Sequence, residues 1–127
     1  MNRKFSSHIA SILLVLHGLI EIAGLVFISS IPQVLTSFGG LTGPALERNA
    51  SAIAMYGVFW GIARFIAAWG CWSMRKWALL LGMILSSVTM VSATTIIPAG
   101  VTDTLFSIPV LVFLLYAWFG NVAIEMN

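Results

Sequence analysis

Charge is what this sequence has least of. Only 8% of its 127 residues are charged, six basic and four acidic, where a soluble domain carries about 25%. Ten such side chains cannot solvate a globule of this size, which excludes a water-soluble enzyme or signalling domain. Cysteine is almost absent too. The lone Cys71 can form no internal disulfide and adds to no zinc-type cluster. Set among Trp69, Gly70 and Trp72, it reads as a packed, inert thiol. The two histidines, His8 and His17, stand nine residues apart, on opposite faces of a helix. They cannot jointly grip a haem or a metal, so neither metal nor cofactor is expected. No nucleophile elbow, P-loop or H-E-x-x-H pattern occurs, and no catalytic residue is expected. The pI of about 9.1 rests on a net charge of +2. With no basic run to follow a phosphate backbone, nucleic acid is excluded as a partner.

What the sequence has is apolar length. Hydrophobic residues make up 60% of it, and the mean hydropathy is +1.03. A membrane-spanning helix needs about 20 mostly apolar residues, and four stretches qualify: 7–28, 50–73, 77–97 and 104–122. Breakers separate them. Pro32, Gly39, Gly40, Gly43 and Pro44 interrupt the first connection, Arg75 and Lys76 make the second, and Pro98, Gly100 and Asp103 the third. Hydrocarbon offers no partner to a bare N–H or C=O, so each stretch is expected to be continuous helix. The predicted fold is all-α: one transmembrane domain over 1–127, a bundle of four spanning helices in contact with the lipid bilayer.

Details follow from the same reading. Arg3 and Lys4 give the first stretch the basic start of a signal peptide. Its apolar run is too long for one, however, and contains His17 and Glu21, so a retained helix is expected. The outer connection, 29–49, is the only sizeable segment between spans. Pro44 suits the first turn of helix 2, and 32–38 is apolar enough to lie on the bilayer surface. Asn49-Ala50-Ser51 matches a glycosylation sequon. Asp103 is expected to cap helix 4, and Pro109 to bend it.

Orientation is read from the cations. Arg3 and Lys4 precede helix 1, while Arg75 and Lys76 join helices 2 and 3, so an even number of spans puts all four on one side. Trp69, Trp72, Trp77 and Trp118 map to the same side, as an interfacial belt would. Both cues place that side, and both termini, in the cytoplasm of a plasma or inner membrane.

Stripes at helical spacing separate the inward faces. Helix 1 offers Ala10, Leu14, His17, Glu21, Gly24 and Ile28. Helix 2 offers Ala54, Gly57, Gly61, Arg64, Ala68 and Cys71, and helix 3 offers Gly82, Ser86, Thr89 and Ala93. In membranes, small residues and hydroxyls mark faces where helices meet. Gly24, Gly57, Gly61 and Gly82 are therefore candidate packing positions. The Gly57/Gly61 pair suits contact within one chain or between chains, which leaves a homo-oligomer or a membrane partner open.

Two residues are costly where they stand. Glu21 and Arg64 each carry roughly 2.5–3.5 kcal/mol of insertion cost near a helix centre, and such residues usually face inward in pairs. Glu21 falls about one turn outside the midplane. Arg64 falls about one turn inside it, on an antiparallel helix within reach. His17 is one turn from Glu21 on the same face. A buried cluster of His17, Glu21 and Arg64 is predicted, with Ser86 and Thr89 supplying hydroxyls.

Gly18-Leu19-Ile20-Glu21-Ile22-Ala23-Gly24, the Arg75-Lys76-Trp77 hairpin and the ending Ile108-Pro109-Val110-Leu111 to Tyr116-Ala117-Trp118-Phe119-Gly120 carry a resemblance. The chain resembles the small four-span prokaryotic membrane proteins that include the DoxX-like group. That resemblance implies a multi-pass plasma-membrane protein without a defined activity. Ile20-Glu21-Ile22-Ala23-Gly24 is also similar to the first helix of the small multidrug-resistance transporters. There the carboxylate alternates between protons and cationic drugs. Arg64 and the long outer connection depart from that second pattern.

Three functions are compatible with these features. The first is a non-enzymatic membrane protein whose polar cluster stabilises helix packing or oligomer assembly. The second is a proton-coupled transporter or channel using Glu21, with His17 as relay. The third is an accessory subunit or enzyme handling a lipid or quinone, with Arg64 meeting an anionic head group.

Overall fold

A computed structural model describes residues 2–30, 50–94 and 100–120, the side chains of 25–30 and 50–54 excepted. Residues 31–49 of the first connection, with Pro32, Pro44 and the sequon asparagine, lie outside this set, as does Pro98. The described chain is four helices: α1 (Arg3–Ser30), α2 (Ala50–Trp72), α3 (Lys76–Ala93) and α4 (Gly100–Phe119). Within α1 the stretch Arg3–Gly24, together with α3 and α4, is long and apolar enough to cross a membrane. Even the 18 residues of α3 span about 27 Å at about 1.5 Å per residue. At 23 residues α2 has the length as well, but carries Arg64 in its middle.

Each helix packs against two others, α1 on α2 and α4, and α3 on α2 and α4, which closes a ring of four. Neighbours run antiparallel. Ser7 of α1 meets Cys71 of α2, Ser11 meets Ala68, and Arg3 meets Ala117 at the far end of α4. The start of α1, the α2–α3 turn and the end of α4 therefore share one end of the bundle. Arg3, Lys4, Arg75 and Lys76 gather there with Trp69, Trp72, Trp77 and Trp118.

Large apolar side chains line the surface and small ones the core, as a bilayer solvent favours. Ile12, Leu19, Phe59, Ile66, Leu105, Val112 and Phe119 are exposed, while Ala10, Ala67, Ala68, Ala78 and Ala117 fill the core around Leu14, Leu79 and Leu114. Lipid is as apolar as leucine, so helices gain by close approach of small residues rather than by hiding large ones. The closest approach lies between α1 and α2. A Cβ built on Gly61 would stand 2.9 Å from the Gly18 carbonyl oxygen, and one on Gly18 3.0 Å from that of Gly61. Gly57 likewise faces the Glu21 carbonyl, at 3.3 Å from a built Cβ. The glycine pair of α2 is thus used within the chain. Gly82 is covered by Leu114 and Leu14, whereas a Cβ on Gly24 would meet no described atom within 4 Å.

The turn from α2 to α3 closes with two backbone bonds. Arg75 N–H donates to Gly70 C=O at 2.9 Å, and Met74 N–H to Cys71 C=O at 3.0 Å. This 6→1 and 5→2 pair is the Schellman arrangement, whose left-handed position is usually glycine. Here Met74 fills it, at φ 57°. At the same end, Arg3 caps α4: its Nε and Nη2 donate to the carbonyls of Ala117 and Trp118, both at 2.7 Å.

One expectation needs correction. Asp103 does not cap helix 4. The helix begins at Gly100 and Asp103 lies inside its first turn, with its carboxylate turned to α1.

Candidate functional site

Small residues set the α1–α2 spacing, and the polar centre fits inside it. Arg64 stands on the inward stripe of α2, one turn beyond Gly61. Its side chain is 1% exposed, and its Nη1 pairs with the Glu21 carboxylate of α1, itself 17% exposed. Nη2 donates to Thr89 Oγ1 of α3 at 2.5 Å. Thr89 in turn donates its hydroxyl hydrogen to Leu85 C=O at 2.8 Å, which leaves the oxygen's lone pairs facing the guanidinium. One buried side chain thereby ties three helices. Ser86 is also buried on α3, but the hydroxyl bonded to Arg64 is that of Thr89.

His17 occupies the next turn of α1, and its partner comes from the fourth helix. Its Nε2 donates to Asp103 Oδ1 at 3.3 Å, with the histidine side chain 2% and the aspartate 40% exposed. The Phe106 ring covers the imidazole at 5.4 Å between centroids. All four helices thus contribute to a chain of polar groups: Thr89, Arg64 and Glu21 on one side, His17 and Asp103 on the other. Among the described residues no group of three or more His, Cys, Asp or Glu side chains could hold a metal ion.

Sequence reasoning missed Asp103. Its only linear signal was a carboxylate near the end of a span, which also fits a helix cap. Two further buried groups were missed. Trp60 lies one turn before Arg64 and Ser107 one turn after Asp103, and neither Trp60 Nε1 nor Ser107 Oγ has a partner among the described residues.

Towards the Arg75 turn the interior is polar in another way. Ser7 and Ser11 donate to the carbonyls of Cys71 and Ala68, each at 2.6 Å. Cys71 is a free, buried thiol there. His8, on the other face of α1, stacks on Trp72 with ring centroids 4.3 Å apart. It takes no part in the polar centre.

No protein-family model matches the chain, and neither a curated protein nor a solved structure matches it significantly.

Proposed function

We propose that this chain is a non-enzymatic, multi-pass protein of the plasma or inner membrane whose polar centre stabilises helix packing. One observation carries the reading: Arg64 is 1% exposed and already bonded to both Glu21 and Thr89. An arginine in hydrocarbon is costly unless it is paired, and these partners exist at only one rotation and depth of the three helices. The pair therefore penalises slipped or rotated packings that the small-residue faces alone would tolerate. Both termini and the Arg75–Lys76 turn are assigned to the cytoplasm, because Arg3, Lys4, Arg75 and Lys76 share one end with four tryptophans. A second copy of the chain, as partner, would have to dock away from Gly57 and Gly61, which α1 covers.

Transport of a proton or small cation is the second reading. His17 and Asp103 favour it, since they form an acid–base pair with one half-exposed member. Glu21 does not favour it, being engaged by Arg64. The lipid or quinone reading has less support, because it needs an Arg64 open to a head group.

A double-mutant cycle on Glu21→Gln and Arg64→Met tests the proposal, scored by thermal unfolding of the purified protein in detergent or bicelles. Each single change should be strongly damaging and the double change largely restored, a coupling of about 0.5–3 kcal/mol. Glu21→Gln as stable as the parent would sink the assembly role.

A further inference from the structure

Among the described residues, the charges of the polar centre do not balance by themselves. Arg64 of α2 and Glu21 of α1 cancel as a pair. Asp103 of α4 adds a second carboxylate, and the group facing it is His17. The α3 groups that face the centre, Ser86 and Thr89, do not titrate. With a neutral imidazole the centre carries one uncompensated negative charge, and with one additional proton it carries none. The carrier of that charge, Asp103, is 40% exposed and faces the buried ring of His17, so a proton taken up on the ring meets an opposite charge within hydrogen-bond distance.

We propose that the His17–Asp103 pair is a site for one exchangeable proton. The proton rests on His17 Nε2, donated to Asp103 Oδ1 across 3.3 Å. It leaves by passing to that carboxylate, so that imidazolium becomes imidazole and carboxylate becomes carboxyl, and the carboxyl then gives the proton to water. The exposures set the direction: the ring is buried, whereas the aspartate side chain is 40% exposed. Histidine is the side chain suited to taking up and releasing a proton near neutral pH. This site lies outside the Arg64 linkage and does not depend on the assembly role proposed for it.

The test is the protonation state of His17, followed by 15N NMR on histidine-labelled protein in lipid nanodiscs. A His8→Gln background leaves a single imidazole in the spectrum. The parent should show one imidazolium, with both ring nitrogens protonated, that titrates as a single site. Asp103→Asn removes the opposite charge, and at the pH where the parent is half protonated the imidazolium population should fall about tenfold. Asp103→Glu should keep it, which separates loss of charge from loss of fold. A ring that stays neutral across the titration overturns the proposal, as does an imidazolium unchanged by Asp103→Asn. So does a neutral ring whose signals move when sodium chloride replaces choline chloride, because the missing charge would then be a metal cation.

Discussion

Near the Arg75 turn, α1 meets α2 through serine hydroxyls. About three turns further along the same interface, it meets α2 through an ion pair. Ser7 and Ser11 each add one neutral bond to a backbone carbonyl, that of Cys71 already accepting from Met74 in the closing turn. They help, and losing one leaves nothing charged behind. Glu21 and Arg64 differ, because each is a liability without the other. The first region adheres through many small, interchangeable contacts. The second discriminates, since a wrong register there strands a charge. A bundle in lipid needs both, because close packing of small residues provides attraction with little directional information.

The largest expected effect comes from breaking the discriminating half. Arg64→Met leaves the mostly covered Glu21 carboxylate without its cation and should cost about 3–5 kcal/mol, read as a lower denaturation midpoint in bicelles. If it costs no more than a serine substitution at the other end, the contrast is void. Gly61→Val attacks the spacing both halves share. A Cβ there would stand 2.8 Å from Ile22 and 2.9 Å from the Gly18 carbonyl, and overpacking of this kind costs roughly 1–3 kcal/mol. A neutral outcome would mean that α1 and α2 can part without loss. Met74→Gly should act in the opposite sense. It relieves the left-handed conformation at φ 57° and should stabilise the α2–α3 turn by about 1 kcal/mol, seen as a raised midpoint. Smallest is Ser11→Ala, at about 0.6 kcal/mol; a cost several times larger would make the serine half a specificity device too.

Much of this was legible in the linear sequence. Low charge and four long apolar stretches indicated helices in a membrane, and the stripes of α1, α2 and α3 located the inward faces. His17, Gly61, Arg64, Ala68, Cys71, Gly82 and Ser86 are buried accordingly. The proximity of Glu21 and Arg64 was legible because two opposite charges in hydrocarbon have few alternatives. Asp103 was not. Near a span's end a carboxylate fits a cap, a solvated loop or a partner equally well, and only the docking of α4 against α1 distinguishes them. The serines of α1 were illegible for a related reason. Their acceptors are backbone carbonyls, which every residue possesses, so the sequence bears no mark of the bond. Met74 hid a Schellman turn because its usual signal, glycine, is missing.

Sequence alone thus determined the solvent, the four helices of the described residues and the faces they turn inward. Those follow from the cost of single residues in hydrocarbon, which each residue incurs wherever its neighbours lie. Tertiary structure decided the partners: Arg64 with Thr89 rather than Ser86, His17 with Asp103, and the glycines of α2 with α1 rather than with another chain. A hydrogen bond is made or lost within about an ångström. That ångström is set by the order of helices in the ring and by their relative depth, which glycine contacts and one tight turn establish together.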